Sequence, residues 1–167
     1  MSPLVLPPVV VGFGLLIVLR WIGAGMLFTP WAAIIAGAVV SLPLLVRTVR
    51  VAVEQIDPRL ELAAATLGAS RLRRWLTITL PLAWRGIVGG AVLAWARAMG
   101  EFGATIIVAG NMPGRTTTIP VAVWTKIQTP TGGSPLLLVV ASMVLALAAV
   151  ACSEWLVRRS PNSSAKS

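Results

Sequence analysis

Hydrophobic residues in this chain fall into four long runs, separated by polar or Gly- and Pro-rich connections. The runs cover residues 4–19, 28–46, 86–110 and 136–157. A bilayer span needs about 20 predominantly apolar residues, so the last three runs are long enough to cross a membrane. The first run is short and Pro7 and Pro8 interrupt it, so we interpret it as a span without its beginning. The pattern predicts an all-α, polytopic transmembrane bundle of about four spans.

Composition agrees with a membrane protein. Of the 167 residues, 57% are hydrophobic and only 11% are charged. A soluble domain of this size cannot hide so much apolar surface from water, and the spans are expected to contact membrane lipid. A net charge of +9 would suggest nucleic acid in a soluble protein, but here the positive charges lie mainly in one loop and in the C-terminal tail. We therefore expect no nucleic-acid partner.

The basic residues also predict orientation, because Lys and Arg are enriched in loops that face the cytoplasm. The connection 47–85 contains seven arginines, and the tail contains Arg158, Arg159 and Lys166. The other two connections are poorer in basic residues. The loop 47–85 and the C-terminus are therefore predicted to be cytoplasmic, and the Ser-rich tail 160–167 is predicted to be disordered.

Local signals in the basic loop predict a helix of about ten residues. Asp57 is a good N-cap, Pro58 suits the first helical position, and Gly68 can end the helix in a left-handed conformation. Ser70 can cap a second, basic helix, and Pro81 is expected to break the chain before the third span. The loop could lie on the membrane surface, held by arginines near anionic lipid, or its first helix could fit into a groove of a partner.

The outer connection, by contrast, is rich in Pro, Gly and Thr. Four of its apolar residues fall on one helical face and predict a short helix at the outer membrane surface: Ile119, Val123, Trp124 and Ile127. Two interpretations of its polar residues Asn111, Arg115 and 116–118 remain open. They could meet a partner protein, or they could form an ordinary polar loop.

Six positions of the basic loop resemble the EAA motif of ATP-binding-cassette (ABC) importer permeases. At the expected spacing, the matching residues are Ala63, Ala64, Gly68, Ile78, Leu80 and Pro81. The motif's glutamate position is Leu62 here, with Glu61 just before it. The resemblance implies that Asp57, Pro58, Glu61 and the six matching residues belong to a loop that couples the permease to its ATPase.

Five further segments resemble the molybdate permease subunits of this family. They are MGEFGAT at 99–105, GNMPG at 110–114, TIP at 118–120, IQTP at 127–130 and SEWL at 153–156. The resemblance implies the fold of a type I ABC importer permease in the bacterial inner membrane. It also implies a homodimer, a cytoplasmic ABC ATPase dimer and an extracytoplasmic oxyanion-binding protein. Sulfate or tungstate is the alternative substrate.

Family members usually begin with one further membrane helix and a basic loop. Residues 1–159 are accordingly expected to form an N-terminally incomplete transmembrane domain, with the coupling loop at 47–85. A misassigned start, a gene fragment and a natural truncation would each give this pattern. A chain without that helix could also be a remnant that docks an ATPase but no longer transports.

Arg97 and Glu101 are charged residues within the third apolar run. Each costs about 2.5–3.5 kcal/mol to insert into a membrane, and their spacing places both on one helical face. The pair could fix helix packing. Alternatively, it could line a translocation pathway, where Arg97 attracts a divalent oxyanion and Glu101 prevents tight trapping.

Small residues recur every four positions along the same run, and such residues allow close approach of helices. They form the sets 86/90, 90/94/98 and 96/100/104. The seam could lie within one subunit or between the two subunits of a dimer.

The chain carries no phosphate-binding GxxxxGK[ST] motif and no histidine. ATP hydrolysis is therefore expected on a partner chain, and we predict neither an enzyme nor a metal site nor a cofactor.

Overall fold

The computed structural model describes residues 7–129 and 134–158 of the chain. These residues contain eight α-helices, one 3₁₀ turn and one π turn, joined by short connections. The helices are α1 (Pro8–Ile22), α2 (Pro30–Glu54), α3 (Pro58–Thr66), α4 (Arg71–Arg74), α5 (Leu80–Met99), α6 (Gly103–Val108), α7 (Ile119–Gln128) and α8 (Leu136–Arg158). The 3₁₀ turn covers Ala24–Met26, and the π turn covers Trp75–Thr79. These residues include no β-strand, which agrees with the predicted all-α class.

Three helices are long and apolar enough to cross a membrane: Pro30–Glu54, Arg71–Met99 and Leu136–Trp155. The second is continuous from α4 through the π turn into α5. α1, at 15 residues, is shorter. Three candidate spans and this shorter apolar helix agree with the predicted helical bundle of about four spans. The predicted disordered tail 160–167 and the beginning of the first apolar run lie outside the described residues.

Small residues bring α2 and α5 into close contact. A Cβ atom added at Gly86 would collide with Ala52, and one added at Gly90 would collide with Thr48. One added at Gly37 of α2 would lie 3.3 Å from Cβ of Ala98. The stripe of small residues on α5 therefore forms a seam within one subunit, the first of the two alternatives.

The core lies where α1, α2 and α6 meet. Its buried residues are Leu19, Ala32, Ala36, Ala104, Val108 and Ala109. α1 passes so close to α6 that a Cβ added at Gly12 would lie 2.6 Å from Cα of Ala104. The amide of Phe28 also donates to the carbonyl oxygen of Val108 at 2.9 Å, which joins the connection before α2 to the end of α6.

The third apolar run does not form one continuous span, and that prediction is wrong. α5 ends at Met99, Gly100–Phe102 are not helical, and α6 begins at Gly103. Glycine is unfavourable within helices, and the Glu101 carboxylate accepts a hydrogen bond from the Ala104 amide at 3.0 Å. That side chain thus satisfies a backbone donor of α6 that a continuous helix would have paired with a carbonyl.

The predicted break at Pro81 is also wrong, because the helix continues through this residue. The π turn lies just before it, and the Leu80 amide donates to the carbonyl of Trp75, five residues back. Pro81 then occupies the first turn of α5, where a proline without an N–H group is tolerated. The short helix predicted in the outer connection is confirmed as α7.

Candidate functional site

The signals read from the basic loop place α3 as predicted. Oδ1 of Asp57 accepts a hydrogen bond from the Arg59 amide at 2.8 Å, and Pro58 is the first helical residue. Gly68 has φ +80°, a conformation that other residues rarely adopt, and it ends the helix. Oγ of Ser70 accepts from the Arg73 amide at 3.4 Å and caps α4.

The outward surface of α3 is apolar and uncovered. None of its residues is buried. Leu62 is 65% exposed and Leu67, just after the helix, is 87% exposed. Ala63 lies exposed beside them, whereas Ala64 is half-buried. The helix therefore presents small and leucine side chains away from the bundle.

The inward side of α3 is held by Glu61. Its Oε1 accepts a hydrogen bond from Oγ1 of Thr79 at 2.6 Å, and Thr79 is 2% exposed. Nη1 of Arg74 approaches the backbone carbonyl of Glu61 at 3.4 Å. The sequence did not predict this contact, because no motif pairs Glu61 with Thr79 and the two are 18 positions apart.

The second half of the six-position motif surrounds the same junction. Ile78 lies within the π turn, and Leu80 and Pro81 begin α5. Ile78 and Leu80 are half-buried, while Pro81 is exposed. The structure thus gathers Glu61 and residues 78–81 where the loop returns to the bundle, and leaves Ala63 on the outer surface.

Arg97 and Glu101 form an ion pair, with 2.9 Å between Nη1 of Arg97 and Oε2 of Glu101. The Glu101 side chain is 2% exposed and that of Arg97 is 41% exposed. The pair shares one face, as expected. Its position differs from the expected one, since Arg97 lies in the last turn of α5 and Glu101 follows the end of that helix.

Glu101 also lines a cleft of about 550 Å³ between α2, α5 and the connection that leads into α7. Hydroxyl groups from three segments share this lining: Ser41, Thr105, Thr117 and Thr118. Oγ1 of Thr118 is buried and has no hydrogen-bond partner among the described residues. Trp95 and Met99 lie between this cleft and a second, apolar groove of about 340 Å³ formed by α5, α7 and α8.

The polar residues of the outer connection bond mainly to one another. Nδ2 of Asn111 donates to Thr125 at 2.8 Å, and Oγ1 of Thr117 donates to Oδ1 of Asn111 at 2.8 Å. Thr116 is buried and accepts from the Met112 amide at 3.0 Å. Arg115 is exposed. Most of these side chains therefore stabilise the loop.

Acidic and cysteine side chains do not gather into a metal site: no group of three or more suitable ligands occurs in residues 7–129 and 134–158.

Residues 2–160 match the family of binding-protein-dependent transport system inner membrane components. The chain belongs to this family. Its members are membrane subunits of ABC transporters, and they associate with an ATPase and with a substrate-binding protein. The permease is thus a transport subunit and not an enzyme, and the resemblance drawn from its sequence segments is confirmed.

Curated relatives carry names that specify a transported element. The chain is 49% identical over 168 residues to the molybdenum transport system permease protein ModB of Escherichia coli K12, covering 93% of this chain and 73% of the relative. It is 44% identical over 169 residues to ModB of Haemophilus influenzae, covering 94% and 74%. Against ModB of Mycobacterium tuberculosis it is 40% identical over 157 residues, covering 86% and 60%.

Proposed function

We propose that this permease forms the membrane pathway of an ABC importer for molybdate. The observation that carries the proposal is the 49% identity to a molybdenum transport permease over 93% of the chain. The hydroxyl-lined cleft that Glu101 borders is compatible with a tetrahedral oxyanion, because hydroxyl groups in the lining and the cation Arg97, which pairs with Glu101, can attract such an ion without trapping it.

Uptake of labelled molybdate tests this proposal. The chain is expressed with its ATPase and binding-protein partners in cells that lack their own permease, and membrane insertion is checked in parallel. Uptake that persists in excess sulfate is the expected result. Uptake abolished by sulfate would assign a sulfate importer, and competition by tungstate would measure discrimination between the two metal oxyanions. An inserted chain without uptake would contradict a transport role.

The pathway role belongs to Arg97 and Glu101. Arg97→Gln removes the positive charge that attracts the anion, so we expect uptake to fall more than the amount of assembled complex. Arg20→Gln is the matched control, because Arg20 is an exposed arginine of α1, whereas Arg97 is the arginine that pairs with the cleft-lining Glu101. Wild-type uptake by an assembled Arg97→Gln complex would exclude the pathway role.

The helix α3, together with its caps Asp57 and Gly68, docks on the ATPase in this proposal. Its uncovered leucine and alanine surface supports this, because small side chains allow close approach and a short, rigid helix transmits movement. When ATP closes the ATPase subunits, α3 moves and the permease switches between inward- and outward-facing states.

Two single-cysteine variants test the docking of α3 and the orientation of the chain in the membrane. Leu67→Cys is expected to crosslink to the ATPase. Ile22 is 76% exposed, and because one span separates it from the cytoplasmic loop 47–85 it lies on the outer side in this proposal. Ile22→Cys is expected to react with an impermeant thiol reagent added outside intact cells and not to crosslink. Crosslinking at position 22 would reverse the predicted orientation. The absence of crosslinking at position 67 would refute the docking of α3.

A second copy of the permease completes the pathway in this proposal. The bundle leaves most of α8 uncovered, since only 11% of its span is buried within the chain. Light scattering of the purified transporter should give two permease chains for each ATPase dimer, and a 1:2 stoichiometry would contradict the homodimer.

A further inference from the structure

We infer that Glu61 and Thr79 form a clasp that transmits movement of α3 into α5, and that these two positioning residues set how much substrate is transported per ATP hydrolysed. The inference rests on the proposed docking of α3 on an ATPase. It assigns Glu61 a contact within its own chain, in addition to any contact of the loop with a partner.

The first step in the argument is that α3 lacks an apolar anchor. None of its residues is buried, and the main contacts that it makes are with α4 and the π turn. Its C-terminal end is Gly68, where a Cβ atom would meet nothing within 4 Å. Packing therefore does not fix the position of α3, and its polar contacts must do so.

The second step is the strength of those contacts. The Thr79 hydroxyl lies 2.6 Å from the Glu61 carboxylate oxygen, a length typical of strong hydroxyl-to-carboxylate hydrogen bonds. Thr79 is 2% exposed, so water competes little for its hydroxyl. Arg74 adds a longer contact, 3.4 Å from Nη1 to the Glu61 carbonyl. Glu61 is thus joined to the helix beneath it through its side chain and its backbone.

The third step is where the clasp acts. Thr79 is the last residue of the π turn, and α5 begins at the next residue. π turns are local interruptions of the α-helical ladder that often occur at functional sites. Movement of Glu61 is therefore transmitted to the beginning of α5. The other end of this helix carries Arg97 and borders the cleft. Without the clasp, α3 could move on its loops while α5 stayed in place.

The test measures molybdate transported per ATP hydrolysed, in proteoliposomes that contain the whole transporter and its loaded binding protein. Glu61→Ala and Thr79→Val each remove the bond, and we expect this ratio to fall about tenfold, the change that losing a hydrogen bond to a charged group produces in an equilibrium. Basal ATP hydrolysis is measured in parallel, so that the ratio reports coupling and not ATPase activity. Glu61→Gln should retain most of the ratio, because its amide oxygen still accepts a hydrogen bond.

Two controls match these variants closely. Thr77→Val removes a hydroxyl from the same π turn, but Thr77 donates to the Arg73 carbonyl of its own helix at 2.6 Å. Glu54→Ala removes a carboxylate that pairs only with exposed Arg50 in the described structure. Both controls should keep the wild-type ratio. The double variant Glu61→Ala/Thr79→Val should be no worse than either single variant, since both remove the same bond.

Hydrogen exchange gives a measure that does not depend on transport. Amides of α3 should exchange faster in Glu61→Ala than in Thr77→Val. Unchanged exchange together with an unchanged transport ratio would overturn the clasp. A proportional loss of assembly, ATP hydrolysis and uptake would also overturn it, because it would assign Glu61 a structural role alone.

Crosslinking distinguishes failure of the proposed α3 docking from failure of the clasp. If Leu67→Cys does not crosslink to the ATPase in an otherwise wild-type transporter, the docking of α3 is refuted. If it crosslinks and Glu61→Ala still transports at the wild-type ratio, docking stands and the clasp is refuted.

Discussion

The Arg97 guanidinium lies 2.9 Å from the Glu101 carboxylate across the point where α5 ends. The other carboxylate oxygen of Glu101 accepts from the Ala104 amide at the beginning of α6. One buried side chain therefore compensates a nearby cation and satisfies a free backbone donor. The charge pair and the interruption of the apolar run are two aspects of the same local structure.

Removing the cation alone should destabilise this region. Arg97→Ala leaves the Glu101 carboxylate, in a residue 3% exposed, without its counter-charge, and we expect a loss of about 1–3 kcal/mol. Adding Glu101→Gln should recover most of it, because the amide is neutral and its oxygen can still accept from Ala104. Thermal unfolding of the purified transporter measures both. A double variant less stable than Arg97→Ala would show that the charge itself is needed.

Close packing of α1 on α6 leads to a paired prediction. Gly12→Ala places a methyl group against the Ala104 backbone, and overpacking of this kind costs about 1–3 kcal/mol. Gly14→Ala meets nothing within 4 Å and should be neutral or slightly stabilising, because Ala favours helix. Equal thermal stability of the two variants would show that α1 does not approach α6 this closely.

The close contact between α2 and α5 predicts that a second substitution can restore stability lost through a first one. In Gly90→Ala the new methyl group would collide with Oγ1 of Thr48, so the variant should lose about 1–3 kcal/mol. Thr48→Ala removes that oxygen and should restore part of the loss in the double variant. Additive losses in thermal unfolding would contradict direct contact between these positions.

Substitutions at Gly68 should act through the backbone conformation that the new residue can adopt and not through the size of its side chain. Its φ of +80° costs a non-glycine residue about 1–2 kcal/mol, although the space around it is open. Gly68→Ala should therefore loosen the end of α3 and speed hydrogen exchange there, whereas Gly68→Asn should have a smaller effect because Asn tolerates this conformation. If Ala and Asn behave alike, backbone conformation is not what this position requires.

The sequence predicted α3 well because its limits depend on local chemistry. Asp57, Pro58 and Gly68 act through their own backbone or through amides two residues away, so their effects can be inferred without knowing the rest of the fold. The spacing of Arg97 and Glu101 predicted their pairing for the same reason. The apolar spans follow from the solvent that surrounds them.

Other features depend on contacts between distant residues. The interruption at Glu101 is hidden, because apolar residues continue on both sides of it. Pro81 was expected to break the helix, but the π turn before it lets the helix continue through this residue. No local sequence pattern predicts that turn. Gly86 and Gly90 indicated a close approach without revealing which helix would lie against them.

The π turn at Trp75–Thr79 contains one residue more than a regular α-helical path would need. Each residue of an α-helix turns the chain by about 100°. Because the wide turn absorbs its extra residue, deleting one residue here would leave a regular α-helix and keep α4, and with it the attachment of α3, aimed as it is, whereas inserting one more would rotate α4 by roughly that angle about the helix axis. The π turn thus lets this segment hold one extra residue without changing the direction in which α3 is attached. A single-residue insertion there should misdirect the loop even when every side chain in the loop is retained, whereas a single-residue deletion should not.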